Sequence, residues 1–136
     1  MWYIFLSVFL LFFFIVLCFY GIAYSDATTF SIPNELLYPA WLCALLLLRD
    51  HPLFFQKAAL SGCISFIFWC YKKKSETVGY GDIKLFALCT FILPSEVIPP
   101  FFLFCGFFGA LYHRIRKKRI CPLGPAIVLG FLLTLL

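Results

Sequence analysis

The chain has 136 residues, of which 64% are hydrophobic, 21% aromatic and only 12% charged, whereas an ordinary soluble domain runs about 45–50% apolar and 25% charged. That balance excludes a water-soluble globule, and since a spanning helix takes roughly 20 residues, six spans would leave short connectors and no room for a soluble domain. Eleven Lys+Arg against six Asp+Glu give a net charge of +5, an excess that in a membrane protein reports loop topology before it reports any acidic partner such as nucleic acid.

Residues 1–23 are apolar almost throughout, with no basic segment ahead of them and no small-x-small cleavage site close behind, and read as an uncleaved first span. A polar stretch follows from Tyr24 to Ser31. Ile32-Pro33-Asn34 then restarts the apolar pattern, Pro33 and Asn34 being good helix-start residues, and the second span runs to about Leu48. Arg49-Asp50-His51-Pro52 forms a tight connector, and residues 53–71 supply a third span with Gln56 and Lys57 close to its beginning. Residues 72–82 are the longest polar stretch. Residues 83–112 would make about 45 Å of straight helix, too long for a bilayer core of roughly 30 Å. Pro94, Ser95, Glu96, Pro99 and Pro100 interrupt them, so two short spans are expected, about 83–97 and 99–112. A basic loop, 113–119, leads to a last span over 120–136 that contains Gly124-Pro125 and Gly130. The expected fold is an all-α polytopic membrane protein of about six transmembrane helices, with residues 1–136 as a single membrane-embedded domain.

Parity tests this topology. Nine of the eleven positive charges fall at two loops, Lys72, Lys73, Lys74 and Lys84 at one and the five between Arg114 and Arg119 at the other. Two spans separate these loops, so both are expected in the cytoplasm. Counting back two spans from Lys72 puts Asp26 on the same face as Asp82.

The six acidic residues differ in setting. Asp50, Glu76 and Glu96 read as solvated loop charges, and Glu35 in a first helical turn complements the helix dipole. Asp26 and Asp82 each stand at the boundary of an apolar helix, where a charge costs free energy and marks function by default. Two glycines precede Asp82 in Gly79-Tyr80-Gly81-Asp82, so backbone could approach a substrate closely there. His51 and His113 fall on opposite sides by parity and cannot share a metal. The seven cysteines, never in a C-x-x-C pair, read as small packing residues.

Gly79-Tyr80-Gly81-Asp82-Ile83-Lys84-Leu85 resembles the second motif of the type IV prepilin peptidases, membrane aspartic peptidases of the GxGD group. Asp26 followed by Ile32-Pro33-Asn34 resembles their first motif. Pro122-Leu123-Gly124-Pro125 with Gly130 is similar to their C-terminal Pro-Phe-Gly-Pro segment, with leucine replacing the aromatic. The resemblance implies removal of the leader peptide of prepilin-like or pseudopilin-like proteins at the cytoplasmic face of the inner membrane, in type IV pilus or secretion systems. Asp26 and Asp82 match the catalytic pair, and Gly79, Gly81, Lys84, Pro33, Asn34, Gly124 and Pro125 match motif positions that would place substrate. Two carboxylates within a few ångströms cannot both ionise, so one keeps a proton while the other acts as base toward water. Such chemistry needs no metal or cofactor. The expected partners are the substrate helix and the lipid bilayer, with no nucleic acid. Long family members carry a cysteine-paired insert after the first helix, associated with N-methylation; the Asp26 loop here is about eleven residues without C-x-x-C, so the chain resembles the short, peptidase-only members. A small transporter using the two aspartates as proton or cation ligands is the competing reading, but it would set an acid well inside a span.

Overall fold

A computed structural model of the chain describes residues 1–74, 78–116 and 122–136. The described residues form six α-helices: α1 (Trp2–Thr29), α2 (Asn34–Leu48), α3 (Phe54–Lys74), α4 (Tyr80–Ile92), α5 (Ile98–Arg116) and α6 (Gly124–Leu135), with one 3₁₀ turn over Ser95–Val97. No strand occurs among them. The chain is an all-α membrane protein. The 28-residue α1 and the stretch Ser95–Ile115 are each long and apolar enough to cross a bilayer, and large apolar side chains such as Trp2, Phe5, Phe66 and Leu103 lie exposed around the outside, as lipid requires.

Most expected boundaries hold within a few residues, with two differences of substance. The first helix does not end at residue 23. The Thr28 hydroxyl donates to the Tyr24 carbonyl at 2.9 Å and that of Thr29 to the Ser25 carbonyl at 2.8 Å, so the polar residues that looked like a loop satisfy themselves within the helix. The connector to α2 therefore shrinks to residues 30–33. The second difference is at residues 83–112: the break falls after Ile92, and Pro99 and Pro100 belong to the first turn of α5, where a missing N–H costs nothing. Glu76, residues 117–121 and the start expected for the last span lie outside the described residues.

α1 packs between α2 and α6, and α4 touches α2, α3 and α6. One stripe of α1, Ile15, Phe19, Ile22 and Asp26, is buried, at the i, i+4, i+7, i+11 spacing of a single helix face. Phe19 meets Phe131 of α6 edge-on at 4.9 Å between ring centroids, and Phe86 of α4 stacks on Phe68 of α3 at 4.9 Å. α5 and α6 approach closely at Gly130, where a Cβ would stand 2.7 Å from Cys105 Sγ. Gly106 of α5, by contrast, faces open space. At the far end of α3, buried Lys57 donates to the carbonyls of Ile92 and Leu93 at 3.2 and 3.3 Å. It caps α4 where the chain breaks before Pro94.

Candidate active site

Four helix ends meet at one end of the bundle: the C-terminus of α1 with Asp26, and the N-termini of α2, α4 and α6. Asp26 is 5% exposed because it continues the buried stripe of α1. An isolated carboxylate there would be costly, and α6 supplies the compensation. The Gly124 N–H donates to Asp26 Oδ2 at 2.7 Å, at a helix N-terminus, where free N–H groups and the helix dipole both favour an anion. Only glycine fits. A Cβ at position 124 would stand 2.7 Å from Asp26 Oδ2 and 2.9 Å from Asp26 Cβ.

Asp82 is held by a parallel device. It stands in the first turn of α4, ahead of the apolar run that begins at Ile83, and its Oδ2 accepts the Gly79 N–H at 3.0 Å. This is the carboxylate half of a capping box, with a glycine at the N-cap in place of the usual serine or threonine. Burial pushes the Asp82 carboxyl up to about 6; the Gly79 N–H opposes the rise, the nearby Asp26 charge adds to it, and Lys72 opposes it. Each aspartate thus has Oδ2 fixed by a backbone N–H, at an end of the bundle where the two acids feel each other's charge.

The remaining motif residues hold this arrangement together. Phe30 ends α1 in the left-handed region, φ 55°, with its N–H bonded to the Asp26 carbonyl at 3.0 Å. The chain turns there and brings Ile32 against Gly81, where a Cβ would stand 2.8 Å from Ile32 Cβ. Gly81 has no positive φ, so its glycine requirement comes from this close approach and not from backbone freedom. Pro33 is the N-cap of α2, as its sequence position suggests. Two residues past Asp82, about 200° round a helix, Lys84 is expected from sequence to face away from the pair and reach the lipid headgroups. It donates instead to Asn34 Oδ1 at 3.1 Å and lies 5.5 Å from the Tyr38 ring centroid, because the start of α2 packs beside α4 and offers an acceptor nearer than the membrane surface. Pro125 follows Gly124 in the first turn of α6.

Sequence reasoning missed the Gly124–Asp26 bond, since nothing in a Gly-Pro pair says which distant acid it meets. It also read Lys72 as topology alone, whereas its Nζ lies 3.2 Å from the Tyr80 ring centroid, over the residue between the two glycines. No group of three metal-ligating side chains occurs among the described residues. Two carboxylates whose charges act on one another, each with one oxygen tied to a backbone N–H, form the kind of pair that general acid–base chemistry uses.

A sequence profile of the type IV leader peptidase family matches residues 9–113, which takes in both aspartates but stops short of Gly124. The chain is 26% identical over 121 residues to a prepilin leader peptidase/N-methyltransferase of Vibrio cholerae serotype O1 (strain ATCC 39315 / El Tor Inaba N16961), covering 79% of this chain and 48% of that protein. It is 39% identical over 66 residues to a prepilin leader peptidase/N-methyltransferase of Bacillus subtilis (strain 168), covering 43% and 27%. The chain therefore spans at most about half the length of these relatives. No solved structure matches it.

Proposed function

The chain belongs to the type IV leader peptidase family, and from that premise we propose that it is a GxGD aspartic endopeptidase, with Asp26 and Asp82 as its catalytic pair. Its substrates are prepilin-like or pseudopilin-like proteins. The observation that carries the reading is the matched pair of bonds, Gly79 N–H to Asp82 and Gly124 N–H to Asp26. They engage one oxygen of each carboxylate and leave the other two for the shared proton and the attacking water. One aspartate takes a proton from the water, which attacks the scissile carbonyl, while the protonated partner donates to the carbonyl oxygen. Collapse of the tetrahedral intermediate returns a proton to the leaving nitrogen and frees the leader. Gly81, Lys84, Asn34, Pro33 and Pro125 serve by fixing the helix ends around the pair. The reading takes residues 1–136 as one membrane-embedded domain.

The same reading sets the site at the cytoplasmic face of the inner membrane. Lys72, Lys73 and Lys74 end α3 at the site's end of the bundle, and basic residues favour the cytoplasm. Reporter fusions after Lys74 and Arg119 are expected to register cytoplasm, and fusions after Asp50 and Ser95 the opposite compartment. Opposite results at 74 and 119 would separate the two basic clusters and break the account of a shared face.

The reaction itself is tested by co-expression with a prepilin carrying a basic leader, followed on a gel. A product shortened by the leader is expected, and an uncut precursor beside well-inserted enzyme would contradict the reading. In the same assay Gly81→Val drives a side chain into Ile32. Overpacking of that kind costs about 1–3 kcal/mol, and because it wedges the α1–α2 connector away from α4, cleavage should fall about tenfold or more while expression is largely kept. Near-normal turnover in Gly81→Val would mean that the Ile32 contact does not set the site.

A further inference from the structure

We propose that the apolar helix of the substrate docks in the groove between α1 and α6, with its cleaved end at the Asp26–Gly124 link. The proposal rests on the peptidase reading and adds to it where the substrate lies. The groove has a volume of about 220 Å³, and its walls are two helical stripes, Val16, Tyr20 and Ala23 on α1 and Pro125, Val128 and Leu132 on α6. Each stripe covers eight residues, about 10 Å along its helix, at the spacing that receives the side chains of one face of another helix. Tyr20 is 72% exposed, so a helix moving sideways in the bilayer can reach the groove without any opening of the bundle.

The continuation of both walls selects the occupant. Three residues beyond Ala23 comes Asp26, about 60° round α1 on the adjoining buried stripe, and one residue before Pro125 on α6 comes Gly124, whose N–H holds that aspartate. An apolar helix seated along the stripes therefore brings the chain at its end beside the Asp26–Gly124 link. A neighbouring groove of about 260 Å³ lies on the other side of α6, walled on α5 by Phe108, Leu111 and Ile115. It shares Pro125, but its α5 wall carries no acid, so a helix there would have only α6 to guide it toward the pair. Leader peptide substrates bring both parts that the α1–α6 groove needs, an apolar helix and a scissile bond at one end of it.

The test uses the full chain in membranes with a prepilin-like substrate. A photo-crosslinking phenylalanine analogue is introduced at Tyr20, Leu132, Leu111 or Leu103 in an Asp82→Asn background that holds substrate uncut. Adducts with the substrate are expected from positions 20 and 132 and not from 111 or from lipid-facing 103. Adducts from 111 alone, or from 20 and 132 only to lipid or to a second copy of the chain, would overturn the proposal. Separately, Ala23→Trp fills the groove and should raise KM about tenfold or more with kcat nearly unchanged, the pattern of lost ground-state binding, whereas Leu103→Trp should change neither. An unchanged KM in a well-inserted Ala23→Trp enzyme also overturns it. Crosslinks report binding and not hydrolysis, so they score the groove even if the wild type cuts nothing, an outcome that would sink the peptidase reading instead.

Discussion

Asp26→Asn and Asp82→Asn are each expected to lower prepilin cleavage by about 10³-fold or more, because a lone carboxylate lacks its acid or base partner. Both variants should still insert, since an amide oxygen can accept the Gly124 or Gly79 N–H as the carboxylate does. For Asp82 the stability effect runs opposite to the activity effect. Its carboxyl is raised from 3.8 to about 6, chiefly by burial, so the folded state favours the protonated form. The cost of its charge is absent below about pH 4, grows as pH rises through 6 and is complete at pH 7. Asp82→Asn removes that cost, and in detergent it should melt higher than the wild type at pH 7, with the difference shrinking toward pH 4. A variant that melts lower at pH 7 would mean that the Asp82 charge stabilises the fold.

Gly124→Ala is the second large effect. The new Cβ would meet Asp26 Oδ2 at 2.7 Å and its Cβ at 2.9 Å, distances at which atoms must move. Either Asp26 swings away and loses the Gly124 N–H, or α6 backs off from α1. Both routes leave a buried carboxylate without its donor, which costs about 1–3 kcal/mol or more. Cleavage should drop about 10²-fold, with kcat falling more than KM rises if the damage is to the acid and not to substrate docking. Gly109→Ala, whose Cβ would touch only Leu123 at an ordinary 3.5 Å, should remain close to wild type. Equal behaviour of the two alanine variants would show that Gly124 has no special tie to the site.

Much of this arrangement was legible in the sequence because its signals are local. An apolar run of more than twenty residues announces α1, Pro33-Asn34 announces the start of α2, and two glycines before Asp82 announce a helix entry. The parity of basic loops put Asp26 and Asp82 on one face, and the structure brings them to one end of the bundle. What was not legible depends on partners far apart in the chain. Polar residues 25–29 look like a loop until their hydroxyls are seen bonded back into α1. Lys84 seems free to reach lipid until the start of α2 packs beside it with Asn34. Gly81 looks like room for a substrate's backbone approach, although its need for glycine comes from Ile32, 49 residues earlier and beside the other motif. Gly124 is the strongest case, because the identity of its acceptor is a fact of packing alone.

The central claim is that Asp26 and Asp82 act as one unit, and residual cleavage rates of the two single variants and the double variant Asp26→Asn/Asp82→Asn test it most directly. With purified, folded enzyme and excess substrate, the account predicts that the double variant is no slower than either single one, since removing one member already disables the pair. A single variant that keeps near-wild-type cleavage, or a double variant slowed by the product of the two single effects, would contradict it.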